Sequence, residues 1–190
     1  MSGPRRKGTL TVVVWDRTVR LLHWSLLASV VAAGLSTLAW FIDYGSWHQP
    51  AGYVALAAVL LRLVWGCIGS RHARWRGFVR SPQATWRYLQ RLCRRREPRY
   101  LGHNPLGAWM VLALIACLLG LALTGWLHTT DRYWGDETVE SVHIGLSWSL
   151  LALAVLHVAG VVFTGLRHHE NLVRSMITGR KPAPQPSDIG

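Results

Sequence analysis

The apolar positions of the chain gather into four long stretches, Val19 to Phe41, Ala51 to Gly69, Leu106 to Leu127 and Val142 to Gly165, set apart by polar and charge-rich segments. Each stretch is long enough to cross about 30 Å of hydrocarbon as a helix of about 20 residues. The pattern predicts an all-α integral membrane protein, one four-transmembrane-helix bundle filling residues 1–190 as a single membrane domain. Ahead of the first stretch, "MSGPRRKGTLTVVVWDR" has basic residues but no apolar core. The first helix is therefore expected to stay in the membrane and not to be removed as a signal.

Charge adds a direction. Of the 190 residues 51% are hydrophobic, yet 21 are Lys or Arg and the net charge is +12, so grease and charge must be segregated. Arg5, Arg6, Lys7, Arg17 and Arg20 precede or open the first span, ten arginines lie between Ser70 and Tyr100, and Arg167, Arg174, Arg180 and Lys181 follow the fourth. The other two loops hold Arg132 alone against Asp43, Asp131, Asp136, Glu137 and Glu140. Basic loops stay cytoplasmic, so both termini (residues 166–190 as a tail) and the basic 70–100 loop are expected inside, with loops 42–50 and 128–141 on the periplasmic or outer side. The segregation argues against nucleic acid as the partner of the positive charge and for anionic lipid. Inside the basic loop, Trp86, Leu89, Leu92 and Cys93 share one helix side among Arg87, Arg91, Arg94 and Arg95. That spacing predicts an interfacial amphipathic helix between spans two and three, a solvated linker being the alternative. Cys67, Cys93 and Cys117 are scattered and form no CxxC or CxxCH, which leaves disulfides, iron–sulfur clusters and covalent haem unsupported.

The candidate chemistry lies in the histidines. His143 and His157 stand fourteen residues apart in "VHIGLSWSLLALAVLHVAG". On a helix this is roughly 21 Å and about four turns, one face at two depths. His23 opens the first span at the inner level and His48 the second at the outer level, just before Pro50. The depths match in pairs, His23 with His157 and His48 with His143. Two imidazoles facing across a bundle, twice over along the membrane normal, are suited to two b-type haems with two axial nitrogens each. Zinc would require more ligands at one point. His72, His103, His128, His168 and His169 fit ordinary interfacial roles. Arg62, in "AAVLLRLVWG", lies fourteen residues after His48 and so reaches the inner level. A haem propionate is its natural counterion, and snorkelling to the surface the alternative. Gly34, Gly52, Gly125, Gly145 and Gly160 allow close approach of backbones or of a flat macrocycle.

The motifs "VWDRTVRLLHW", "LLRLVWGCIGSRHARW", "GHNPLGAW" and "VHIGLSWSLLALAVLHV" through "SMITGRK", spread from residue 12 to 181, resemble the prokaryotic cytochrome b561 superfamily. Within it the chain looks most like the b-type cytochrome subunit of membrane-bound nickel–iron hydrogenases. The resemblance implies a multi-pass protein of the bacterial inner membrane with two noncovalent haems b, His23, His48, His143 and His157 as iron ligands, and electron transfer between a periplasmic redox protein and the quinone pool. The periplasmic partner would be a hydrogenase or a c-type cytochrome, since the 128–141 loop is short beside those of the hydrogenase subunits. Quinone contacts would come from His103 and Asn104 or His168 and His169 on the inner side, or from Trp47, His128 and Tyr133 on the outer side. A stand-alone quinone-linked cytochrome, a non-redox anchor subunit, a metal or solute transporter and a homodimeric assembly are the competing readings.

Overall fold

The computed structural model of the protein describes residues 10–38, 47–186, 188 and 189. The basic arm Arg5 to Lys7, the expected end of span one at residues 39–41 and most of the 42–50 loop, with Asp43, lie outside the described residues. In chain order the elements are β1 (Thr11–Val13), α1 (Arg17–Leu38), α2 (His48–Ile68), α3 (Trp75–Phe78), α4 (Pro82–Cys93), α5 (Pro105–Leu127), α6 (Glu137–His168), α7 (Leu172–Thr178) and β2 (Arg180–Pro182). Four of them, α1, α2, α5 and α6, are long and apolar enough to cross a membrane. α1 packs along α2, α2 along α5 and α5 along α6. The outward faces are apolar, with Leu166 73% and Trp148 68% exposed, and α6 has no buried residue at all. Such a surface is stable only where hydrocarbon replaces water around it.

Local chemistry sets where the helices begin and end. Asn104 Oδ1 accepts the Gly107 N–H at 2.7 Å and Pro105 takes the first turn of α5, where a missing N–H costs nothing. α6 starts five residues before Val142, the first residue of the apolar stretch, because Asp136 Oδ1 accepts the N–H groups of Thr138 and Val139 at 2.9 and 3.0 Å. Glu137 and Glu140 in its first turn and Arg167 and His168 in its last complement the helix dipole. The basic loop contains α4, capped by Ser81 and led by Pro82. Trp109 Nε1 donates to Thr85 Oγ1 at 3.1 Å and ties this helix to α5.

A cap closes the end of the bundle that carries both termini, hereafter the basic end. β1 and β2 pair antiparallel, with Val12 opposite Lys181. Gly179, at φ +79°, turns the chain so that its carbonyl accepts the N–H groups of Val14 and Trp15 at 2.9 and 3.1 Å. A Cβ there would stand 2.5 Å from the Trp15 carbonyl oxygen, so only glycine fits. Beneath the strands Val14, Trp15, Val19, Ala73 and Leu101 form a small apolar core. Arg99 pairs with both Glu170 and Asp188, and the buried Lys181 ammonium lies 3.6 Å from Glu170. Burial pushes the Lys181 ammonium down from its ordinary value, against the pull of Glu170. The described residues from Leu172 to Asp188 are thus docked on the basic end. Strands of three residues carry too little alternation to be seen in a hydropathy pattern.

Asp16 joins the cap to the bundle. Its Oδ1 accepts the Val19 N–H at 2.8 Å and caps α1, while Oδ2 accepts Trp65 Nε1 at 3.1 Å and the Ser70 hydroxyl at the end of α2. Burial pushes its carboxyl up, but the hydrogen bonds from Ser70, Val19, Trp65 and Thr18 outweigh burial and hold it below the ordinary carboxylate value. A carboxylate lowered on folding adds stability above its unfolded value and loses it as pH falls through the folded one. Asp16→Ala should therefore lower the thermal midpoint, the lost cap alone costing about 0.5–2 kcal/mol of stability. Its melting curve should also decline less than the parent's as pH falls below 4, both effects being read by circular dichroism in nanodiscs.

Candidate functional site

Two pairs of imidazoles face each other across the bundle. At the basic end His23 of α1 and His157 of α6 have ring centres 6.4 Å apart with planes tilted by 53°. At the opposite end His48 of α2 and His143 of α6 stand 6.0 Å apart with planes at 67°. Two imidazoles on one metal, each with a bond of about 2.0–2.1 Å and a ring centre about 1 Å beyond the nitrogen, are spaced roughly 6 Å centre to centre. Both pairs have that spacing. Among the described residues no group of three or more His, Cys, Asp or Glu could hold a metal ion. An ion seated between either pair would have two imidazoles from the described residues and would need its other ligands from a bound group.

The rings at the opposite end are oriented by the helices around them. His48 Nδ1 lies 3.0 Å from the Ala33 carbonyl oxygen, which can only accept, so Nδ1 carries the proton and Nε2 keeps its lone pair. His143 Nδ1 lies 2.8 Å from Thr124 Oγ1. The Thr124 hydroxyl is directed at the carbonyls of Gly120 and Leu121, at 2.9 and 3.2 Å, leaving its lone pair to accept from Nδ1. Each imidazole is thereby held in the tautomer whose Nε2 keeps its lone pair. A Cβ on Gly125 would sit 3.4 Å from His143 Cε1, so this glycine admits the ring close to α5. No atom lies within 4 Å of where a Cβ would stand on Gly34, Gly52, Gly145 or Gly160.

The basic-end pair has polar neighbours that are incompletely satisfied. Arg62, only 7% exposed, donates through Nη2 to the Ala73 carbonyl at 3.2 Å and lies 4.5 Å over the Trp75 ring, while its Nη1 has no partner. Gly66 makes room for that ring, since a Cβ there would fall 2.0 Å from it. The arginine is therefore held in the protein and does not snorkel to the surface. His103 packs between Trp15 and Phe78, at 4.8 and 4.6 Å, with Nδ1 buried and unpartnered. Burial, then the charges of Arg62, Lys181, His157 and His23, push it down to about 3, so it is neutral at physiological pH. Arg20 Nε is a third buried atom here without a partner.

The remaining candidates are dispersed. The Asn104 side-chain oxygen is taken up in capping α5. His168 and His169 line a surface cleft at the basic end, and His72 lines a smaller pocket that also touches His103. At the opposite end Trp47 is 62% exposed, His128 ends α5 and Tyr133 stacks with Arg132 at 5.5 Å. Sequence reasoning missed Ala33, Thr124, Trp15, Phe78 and Arg20. Of these only Thr124, a hydroxyl inside an apolar stretch, carries a signal of its own.

A profile of the prokaryotic cytochrome b561 family matches residues 14–179, which include both pairs. The chain belongs to that family. It is thus a b-type membrane cytochrome, a haem protein of electron transport. Similar proteins include the probable Ni/Fe-hydrogenase B-type cytochrome subunits of Bradyrhizobium diazoefficiens, 24% identical over 95% of this chain and 90% of the relative, and of Azotobacter vinelandii, 26% identical over 92% and 89%. That of Rhizobium leguminosarum bv. viciae is 22% identical over 90% and 89%. In this cytochrome Arg62→Lys keeps the charge but loses the planar contact with Trp75. Thermal unfolding should show a loss of about 1 kcal/mol.

Proposed function

We propose that the protein is a di-haem cytochrome b that carries electrons across the bacterial inner membrane between a periplasmic redox protein and the quinone pool. The observation that carries this reading is the pair of facing imidazole pairs, 6.4 and 6.0 Å apart, at opposite ends of one bundle. His23 and His157 would hold one haem iron, and His48 and His143 the other. When bound, each haem supplies a one-electron couple whose axial positions are both filled, which favours electron transfer over oxygen binding. Ala33 and Thr124 orient the second pair and add electron density to its imidazoles. Arg62, with Nη1 and a full charge to spare, is the counterion for a propionate of the basic-end haem. The apolar helices keep water from the path.

Orientation follows from charge. The ten arginines of residues 70–100 and the basic residues of both termini favour the cytoplasm for the basic end, so the His48–His143 end would face the periplasm. A hydrogenase, the partner in the relatives' names, is the first choice for the periplasmic side, and a c-type cytochrome the second. On the cytoplasmic side the buried, neutral and unpartnered His103 nitrogen beside the basic-end pair is suited to a quinone carbonyl or hydroxyl.

Purified full-length protein in nanodiscs should contain two low-spin haems per chain. His23→Ala and His157→Ala should each remove the same haem, and His48→Ala and His143→Ala the other. Full haem content in these variants, or loss of spectroscopically different haems within a pair, would overturn the assignment. In a redox titration Thr124→Val should raise the midpoint potential of the His48–His143 haem alone, because His143 loses the acceptor that enriches its ring. His103→Phe should keep both haems and slow haem oxidation by a quinone analogue, whereas an unchanged rate would remove His103 from the quinone site.

A further inference from the structure

Where α6 leaves the bundle at the basic end, a cleft of about 920 Å³ opens between the C-terminal end of α4, the turn after it and the docked tail. Three carboxylates lie on its wall, each paired with a cation, although Glu97 Oε2 has no hydrogen-bond partner among the described residues. Glu97 accepts Arg167 Nε at 2.8 Å, Glu170 and Asp188 are held by Arg99, and Glu170 also faces Lys181. Three arginines on the same wall, Arg91, Arg94 and Arg96, pair with no described carboxylate. The chain reverses between the last two at Arg95, in a left-handed conformation with φ 55°. The cleft therefore presents cationic groups whose local counter-charges are already spent.

The surroundings specify what kind of anion fits. On its bundle side the cleft is lined by His168 and His169 at the end of the membrane-spanning α6, whose exposed apolar residues Phe163 and Leu166 lie within its last two turns. On the other side stands α4, whose Trp86 is 60% exposed and which is fastened to α5 through Trp109. Guanidinium groups match phosphate oxygens in geometry and charge. Their place at the end of a membrane-spanning helix favours an amphiphile over a soluble phosphate. We propose that this cleft is a binding site for the headgroup of an anionic phospholipid, its phosphodiester held by Arg91, Arg94 and Arg96 and its acyl chains lying along α6. The bound lipid bridges the end of α4 to the end of α6, and this role is independent of the haem and quinone assignments.

The test uses full-length protein in phosphatidylcholine nanodiscs containing spin-labelled phosphatidylglycerol, with spin-labelled phosphatidylcholine as the neutral reference. The wild type should immobilise the anionic label selectively. R91Q/R94Q/R96Q should lose about tenfold of that selectivity, while R17Q/R87Q/R174Q, which removes the same charge elsewhere at this end, should keep it. The haem spectrum reports folding, and Arg94→Gln alone, with a smaller expected loss, replaces the triple variant if that fails to fold. Equal losses in both triple variants would reduce the effect to general surface charge and overturn the site. So would the absence of selectivity in the wild type. Displacement of the labelled lipid by inorganic phosphate at constant ionic strength would assign the cleft to a soluble anion and overturn the lipid proposal.

Discussion

Hydrocarbon offers no hydrogen-bond partner, and the organisation of this protein follows from that constraint. The backbone of each span satisfies itself as a helix, but an imidazole, a guanidinium or a hydroxyl inside it must find a partner within the protein or with a bound group. Thr124 turns its hydroxyl back to its own helix and accepts His143; His48 donates to a carbonyl of the neighbouring α1. What remains after these internal bonds is a lone pair on each Nε2 at one end, and at the other Arg62 Nη1 and His103 Nδ1, which have no partner among the described residues.

The two ends are built differently. At the basic end the termini, α7 and the segment before α5 form a cap with its own apolar core, hydrogen-bonded through Asp16 and Gly179 and neutralised through Arg99, Lys181, Glu170 and Asp188. This packing keeps His103 from water and holds Arg62 on Trp75. The opposite end has a short connection, exposed aromatic residues such as Trp134, 78% exposed, and acidic residues in the first turn of α6.

Membership of the prokaryotic cytochrome b561 family supplies the chemistry of haem b. The relatives cover nearly the whole chain at about a quarter identity. At that distance helices and the haem class are shared while loops are free to differ, and loops are where partners dock. The connection between α5 and α6 and the basic cleft are accordingly where this cytochrome can differ from its relatives.

The sequence by itself determined the number of spanning helices, because about 20 apolar residues in a row have few other stable fates in water or lipid. It also determined which histidines share a depth, because helix rise and alternating direction convert residue number into height. Tertiary structure alone decided the rest. That Arg62 is held on Trp75, that His103 is buried between Trp15 and Phe78, and that Ala33 and Thr124 orient His48 and His143 all depend on how far one helix is rotated against the next. Rotation is fixed by packing between residues 13 to 88 positions apart, from Arg62 with Trp75 to Trp15 with His103. The sheet that ties Thr11–Val13 to Arg180–Pro182 joins the two ends of the chain, and two three-residue strands have no local pattern that reveals the pairing.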